Sequence, residues 1–209
     1  MSDNYKELLE AGSGEIAEKK SRFIATMMPV KSEEEAIDFI NSIKKKYWDA
    51  RHNCYAYTIG DNNELTRCSD DGEPSQTAGR PMLDVLLLEE LHNVAVVVTR
   101  YFGGTLLGTG GLVRAYQGAV KEAINNSVIA TKVKGSRIYI EVDYGAIGKI
   151  QYILSKRDIK PENIMYEQNV RYEINVIKDQ IESFKNEVVE AMNGNVKFDI
   201  DKEIYFYKN

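Results

Sequence analysis

Residues 103–111 hold five glycines in nine positions, set between the almost unbroken apolar run VAVVVTRYF at 94–102 and an amphipathic stretch at 112–125. A run that is apolar on consecutive residues must be buried on both faces, so it reads as a central strand. The stretch after the glycines places Val113, Tyr116, Ala119, Val120 and Ala123 on one side of a helix. A buried strand passing through a glycine-rich turn into a helix implies packed layers of both α and β structure. Glycines there let backbone amides face outward at a helix N-terminus, where the dipole favours an anion. No lysine follows them, so this is not a Walker A loop, and the spacing does not fit Gly-x-Gly-x-x-Gly. An anion or phosphate-backbone site and a plain tight connection fit the glycines equally well.

The rest of the chain supplies the other elements. Residues 21–30 (SRFIATMMPV) read as a strand. Ser32, with Glu35 three residues on, forms a capping box for a helix that places Ala36, Ile37, Ile40 and Ile43 on one face. Glu33, Glu34 and Glu35 at its start and Lys44, Lys45 and Lys46 at its end suit the macrodipole, so the lysines read as a solvated helix end. Residues 53–60 form a second strand, paired with 64–68 across the turn Asp61-Asn62-Asn63. A loop at 69–80 leads to a short apolar helix near 81–91, with Pro81 in its first turn.

Near Lys134-Gly135 the patterning restarts. A strand at 137–143, a helix at 146–156, a hairpin of 163–166 and 171–177, a helix at 179–192 and a strand at 196–207 follow. The order β-α-β-β-α-β is that of a ferredoxin-like domain, with two helices on one face of the sheet. The fold class is therefore α+β in two domains, 1–134 and 135–209, expected to form separate sheets joined by a short linker.

Charge and composition narrow the function. The formal net charge is −5, the reverse of a generic nucleic-acid binder, so any RNA contact must rest on a local patch. Residues 91–121 offer one, with no Asp or Glu but with Arg100, Arg114 and Lys121. The first twenty residues are polar and no stretch approaches a bilayer span, so a cytoplasmic location without a membrane partner is expected. Cys54, Cys68, His52 and His92 are the only cysteines and histidines, too few for a zinc centre, and reduced thiols with no metal or cofactor are expected. Asp70, Asp71 and Glu73 could give a hard cation oxygen ligands, although Asp-Gly with Pro nearby is ordinary turn chemistry. His52 could act as a general base, but no nucleophile is paired with it in sequence. Tyr55 and Tyr57 share a strand face, as a stacking platform or as core.

Four segments taken together are more specific. Ser21-Arg22-Phe23, the run RHNCYAY at 51–57, SDDGEPSQTAGRP at 69–81 and RYFGGTLLGTGGL at 100–112 resemble the signature of the IMPACT/YigZ family. The likeness covers residues 15–130, and the remainder resembles the ferredoxin-like C-terminal domain of bacterial members. The resemblance implies an N-terminal βαβ fold shared with a ribosomal small-subunit protein and with domain IV of elongation factor G. It also implies a role in regulating translation. Eukaryotic relatives act by protein contact in the pathway of a kinase that phosphorylates an initiation factor, and some bacterial members have carried a proline-peptidase label. Binding rather than catalysis is the expected role, with RNA, the ribosome or a translation-associated protein as partner. The binding set is Arg22, Arg51, His52, Arg80, Arg100, Gly103, Gly104, Thr105, Gly108, Thr109, Gly110, Gly111 and Arg114. An enzyme acting on a phosphate-bearing small molecule through the same loop is the rival. A peptidase ranks third, since no His/Glu ligand spacing is present.

Overall fold

Two short strands, β1 (Asn4–Leu8) and β2 (Gly12–Glu18), precede β3 (Ser21–Pro29) in the computed structural model, which describes residues 4–208. After them come α1 (Glu33–Lys46), β4 (His52–Ile59), β5 (Leu65–Ser69), α2 (Gly79–Leu88), β6 (Leu91–His92), β7 (Val94–Tyr101) and α3 (Gly108–Asn125). The chain falls into two units that divide between Thr131 and Lys132.

β7 is the middle strand of an antiparallel sheet ordered β2-β3-β7-β4-β5 in the first unit. Its residues alternate between two cores, which is why the run is apolar without a break. Val94, Val96 and Val98 enter the core with Phe23, Met82 and Leu86, and with Tyr116 and Ala119 of α3. Ala95 and Val97 enter the other core, with Ala36, Phe39, Ile40 and Ile43 of α1.

The start of α1 follows from its sequence. Glu35 N–H donates to Ser32 Oγ (3.2 Å), and Glu35 Oε2 accepts from the Lys31 N–H (2.7 Å), one residue before the donor of a reciprocal box. Ile37, expected on the buried face, is 46% exposed, and Phe39 is buried instead. Positions 36, 39, 40 and 43 centre the stripe, and Ile37 lies about 100° away from Ala36 around the helix. Ser32→Ala should lower stability by about 1 kcal/mol, read as a shift in denaturation midpoint. An unchanged midpoint would show that water serves the Glu35 amide equally well.

The second unit consists of the greater part of β8 (Ile129–Val142), with α4 (Ile147–Lys156), β9 (Pro161–Tyr166), β10 (Val170–Ile177), α5 (Ile181–Ala191) and β11 (Lys197–Tyr207). The strands run β11-β8-β10-β9, antiparallel throughout, which is the ferredoxin-like arrangement. Ile138, Ile140 and Val142 of β8 and Tyr172, Ile174 and Val176 of β10 share one core with Ile150, Ile153 and Leu154 of α4 and Phe184 and Val188 of α5. Both helices therefore cover the same face. The intervening positions are polar: Arg137 pairs with Glu173 (3.1 Å), and Arg171 lies 4.3 Å over the Tyr139 ring.

The expected linker is absent. β8 is one strand that crosses the division, because Ile129, Thr131 and Val133 keep a β-branched residue at alternate positions. Gly135, read as a break, sits inside the strand opposite Ile177 and Ile204. A Cβ there would lie 2.1 Å from the Val176 carbonyl oxygen, so the glycine marks a close backbone approach. β1 and β6 also belong to this sheet, in the order β6-β1-β8-β10-β9, so the expectation of two separate sheets fails.

Candidate functional site

α3 begins at Gly108, four residues before the expected start, so Gly108, Gly110 and Gly111 belong to its first turn and the loop shrinks to 102–107. Leu112, Ala115 and Tyr116 are buried, and their packing holds the preceding turn helical against glycine's poor propensity. Leu107 at the cap supplies no side-chain hydrogen bond, so the opening amides of the helix have no capping partner. Gly103 has a different task. Its N–H donates to Ser21 Oγ (3.1 Å), and a Cβ on it would lie 2.0 Å from the Lys20 carbonyl carbon. Gly104 and Thr105 are exposed.

The register of the sheet brings all four motif segments to one end of it. Arg22 pairs with Tyr101, His52 with Arg100, and Tyr55 with Ser69. Across these strand ends, Tyr101 OH donates to Asp49 (2.8 Å), and Lys44 Nζ donates to Asp71 (2.7 Å). A cavity of about 440 Å³ opens there, lined in part by Arg51, His52, Glu73, Arg100, Phe102, Leu106, Gly108 and Thr109.

A buried polar network forms one wall. Arg100 and Glu73 are only 8% and 3% exposed in their side chains, and Arg100 Nη1 donates to Glu73 Oε1 at 2.6 Å. Tyr116 OH donates to the same oxygen (2.8 Å). The Cys54 thiol points at the Tyr116 hydroxyl (3.3 Å) and at the Asp70 carbonyl oxygen (2.9 Å). Burial pushes both the Tyr116 phenol and the Cys54 thiol well up from their ordinary ranges, so each stays a protonated donor. A thiol held in that form is not an activated nucleophile. His52 Nδ1 lies 2.9 Å from the Asp71 carbonyl oxygen. A carbonyl cannot donate, so Nδ1 is the donor in this bond, and in the neutral ring Nε2 is then an acceptor.

The three acidic residues of the β5–α2 loop do separate jobs. Asp70 accepts from the Gln76, Ala78 and Gly79 amides (2.7, 3.0 and 2.8 Å) and so shapes the loop into the start of α2. Asp71 accepts from the Asn53 amide (2.7 Å) as well as from Lys44, while Glu73 serves Arg100 and Tyr116. Among the described residues no three His, Cys, Asp or Glu side chains gather as a metal site.

Of the residues singled out from sequence, Arg51, His52, Arg100, Gly108 and Thr109 meet at the cavity. Arg100 does so from the interior, committed to Glu73. Arg22 is exposed and paired with Glu15 (2.7 Å), and Arg80 is paired with Asp84 (2.7 Å) on α2. Neither lines the cavity. Arg114 is exposed one turn along α3, with Nη1 3.9 Å from where a Gly110 Cβ would be. Tyr55 and Tyr57 form no open platform: they stack at 6.3 Å in the core under α1, and Tyr57 OH donates to Glu33 (2.6 Å). Sequence reasoning missed Tyr116, Phe102 and Leu106. A tyrosine in the apolar stripe of α3 was a usable signal, since a buried phenol needs a polar partner.

The Impact N-terminal domain profile matches residues 19–124, and a domain of unknown function (DUF1949) matches residues 140–195. The IMPACT family member YvyE of Bacillus subtilis is 42% identical over 194 residues, 93% of this chain and 89% of that one. The IMPACT family member YigZ of Escherichia coli is 34% identical over 181 residues, 86% of this chain and 89% of its own. Protein IMPACT of Xenopus laevis is 38% identical over 98 residues, 44% of this chain but 31% of that protein. A crystal structure of a hypothetical protein superposes with a TM-score of 0.60 at 30% identity, across 97% of this chain and 99% of that one. Among the described residues no helix is long and apolar enough to cross a membrane. With the first-unit profile spanning the whole cavity wall and bacterial relatives matching nearly end to end, the chain belongs to the IMPACT family.

Proposed function

We propose that the protein is a cytoplasmic binding module that engages RNA of the translation machinery through this end of the five-stranded sheet. The observation that carries the reading is that uncapped α3 amides lie at the same end of the sheet as exposed cations that have no ion-pair partner among the described residues. Those cations are Lys19, Lys20, Lys45, Arg51 and Arg114, in a chain whose formal net charge is −5. Phosphate is the anion such a surface suits, and the acidic remainder confines contact to it. Trp48 and Phe102, 83% and 49% exposed, add aromatic faces on which bases can stack. The family resemblance points the same way, toward translation. Binding is favoured over catalysis because Cys54 is held as an inert thiol and His52 has no nucleophile hydrogen-bonded to it.

The test is titration of single-stranded RNA at two salt concentrations. With about three phosphates neutralised, affinity should fall roughly twenty-fold between 50 and 200 mM salt. Arg51→Ala and Arg114→Ala should each weaken binding to all sequences alike and flatten the salt slope by about 0.7. An absence of RNA binding at low salt would overturn the reading in favour of a protein partner.

A further inference from the structure

The cavity at the start of α3 is more specialised than a phosphate-backbone contact requires. Its volume of about 440 Å³ falls in the range of small-ligand sites, roughly 300–1,000 Å³. Three kinds of chemistry line it. Gly108 and Thr109, at the uncapped start of α3, line it together with Arg51. Behind them lies Arg100, only 6% exposed, whose Nε has no hydrogen-bond partner. A second zone is apolar: Phe102 and Leu106, 49% and 82% exposed, lie outside the core clusters and rim the opening. The third zone accepts hydrogen bonds. Glu73 Oε1 takes both the Arg100 and the Tyr116 bonds, which leaves Oε2 for a ligand, and His52 leaves Nε2.

A bare phosphate would use only the first zone, and a carboxylate in the wall would oppose a second anionic group. Two unfilled acceptors call for a ligand that carries neutral donors, and an apolar rim that includes the Phe102 ring suits a planar ring. We infer that the cavity is a ribonucleotide pocket: phosphate on the α3 amides and Arg51, base against Phe102 and Leu106, ribose hydroxyl donated to Glu73 Oε2. This rests on the RNA reading for its location but adds discrimination, because the 2′-hydroxyl separates RNA from DNA at a single site. The same chemistry is presented by a free mononucleotide and by one nucleotide of a strand, and the two are separable in solution.

The full chain is titrated calorimetrically with adenosine 5′-monophosphate, its 2′-deoxy counterpart and inorganic phosphate, and with single-stranded RNA and DNA of one sequence. The ribo form should bind about ten-fold more tightly than the deoxy form in both pairs, since a hydrogen bond to a charged acceptor is at stake. Phe102→Ala, at a half-exposed position, removes one of the two rings beside the Arg100 guanidinium but none of the network's hydrogen bonds, and should weaken the mononucleotide about ten-fold by loss of stacking. Glu73→Gln should abolish the ribo preference, but it touches the core, so the Phe102 variant carries the test if Glu73→Gln fails to fold. Equal binding of RNA and DNA, with Phe102→Ala unchanged, would overturn the pocket and leave the phosphate-backbone reading standing. Ribo-selective mononucleotide binding without strand binding would keep the pocket and remove the RNA reading. Binding of none of the probes would remove both.

Discussion

Arg100→Ala should destabilise the first unit by about 3–5 kcal/mol, because it leaves Glu73 as an uncompensated charge in the interior. The two side chains meet at 2.6 Å with 8% and 3% of their surface exposed, so water replaces the lost partner only in part. Tyr116 would remain as a single neutral donor to a carboxylate that had two. Glu73→Ala should cost a similar amount from the opposite side, since it strands the guanidinium between Phe23 and Phe102, whose ring centroids lie 5.5 and 5.6 Å from Arg100 Cζ. Replacing both partners together, as Arg100→Met with Glu73→Leu, should recover most of the loss, because neither charge then needs solvation. Denaturant midpoints followed by far-UV circular dichroism distinguish these cases. A single variant within about 1 kcal/mol of the parent would mean that the pair is solvated and that Arg100 is free to bind a ligand directly.

That contrast shows where the sequence was readable and where it was not. Arg100 was legible as a cation beside a glycine-rich turn in an acid-free window, and that much is true of it. Its burial was not legible, because the partner lies in another loop, twenty-seven positions away at Glu73. Glu73 in turn read as turn chemistry or a cation ligand, since nothing local distinguishes an exposed loop carboxylate from one folded under an arginine. The elements that repeat a period were found: β7 by its two-sided apolar run, α1 by Ser32 and Glu35, and the second unit by strand and helix alternation. β1, β2 and β6 were missed. β2 reads GSGEIAE, and its glycines suggest a loop, whereas a Cβ at Gly14 would lie 2.5 Å from the Ala123 amide nitrogen. Glycine serves there to let the edge strand approach α3, a tertiary reason that no local propensity encodes. The site followed the same rule. The glycine-rich segment beside the cavity was readable from composition, while the cavity wall, drawn from three separate segments at 51–52, 72–74 and 100–112, depended on strand register.

Gly103→Ala and Gly110→Ala should move stability in opposite directions, although both glycines sit in the one rich segment. At Gly103 the new Cβ would stand 2.0 Å from the Lys20 carbonyl carbon, 2.3 Å from its oxygen and 2.3 Å from the Ser21 amide nitrogen. Those are backbone atoms and cannot rotate aside, so either the β2–β3 turn or the 102–107 loop must shift. Forced overpacking of this kind costs about 1–3 kcal/mol, and a backbone collision belongs at the upper end. Because the same loop leads into the α3 amides, RNA affinity should fall with stability. At Gly110 the nearest heavy atom beyond its chain neighbours and the backbone of its own helix is the Arg114 guanidinium, 3.9 Å away, and the residue already lies in the first turn of α3. Alanine there should stabilise by about 0.5–1 kcal/mol through the lower entropy of the unfolded chain. It keeps the backbone N–H, so RNA affinity should stay within about two-fold of the parent, the small change expected when no phosphate contact is removed. Thermal unfolding and RNA titration of the two variants separate packing from ligand contact in this segment. Equal stability losses at both positions would show that Gly110 is packed as tightly as Gly103. A large loss of RNA affinity in Gly110→Ala at unchanged stability would place the bound phosphate directly against its Cα, closer to the helix than the amide contacts require.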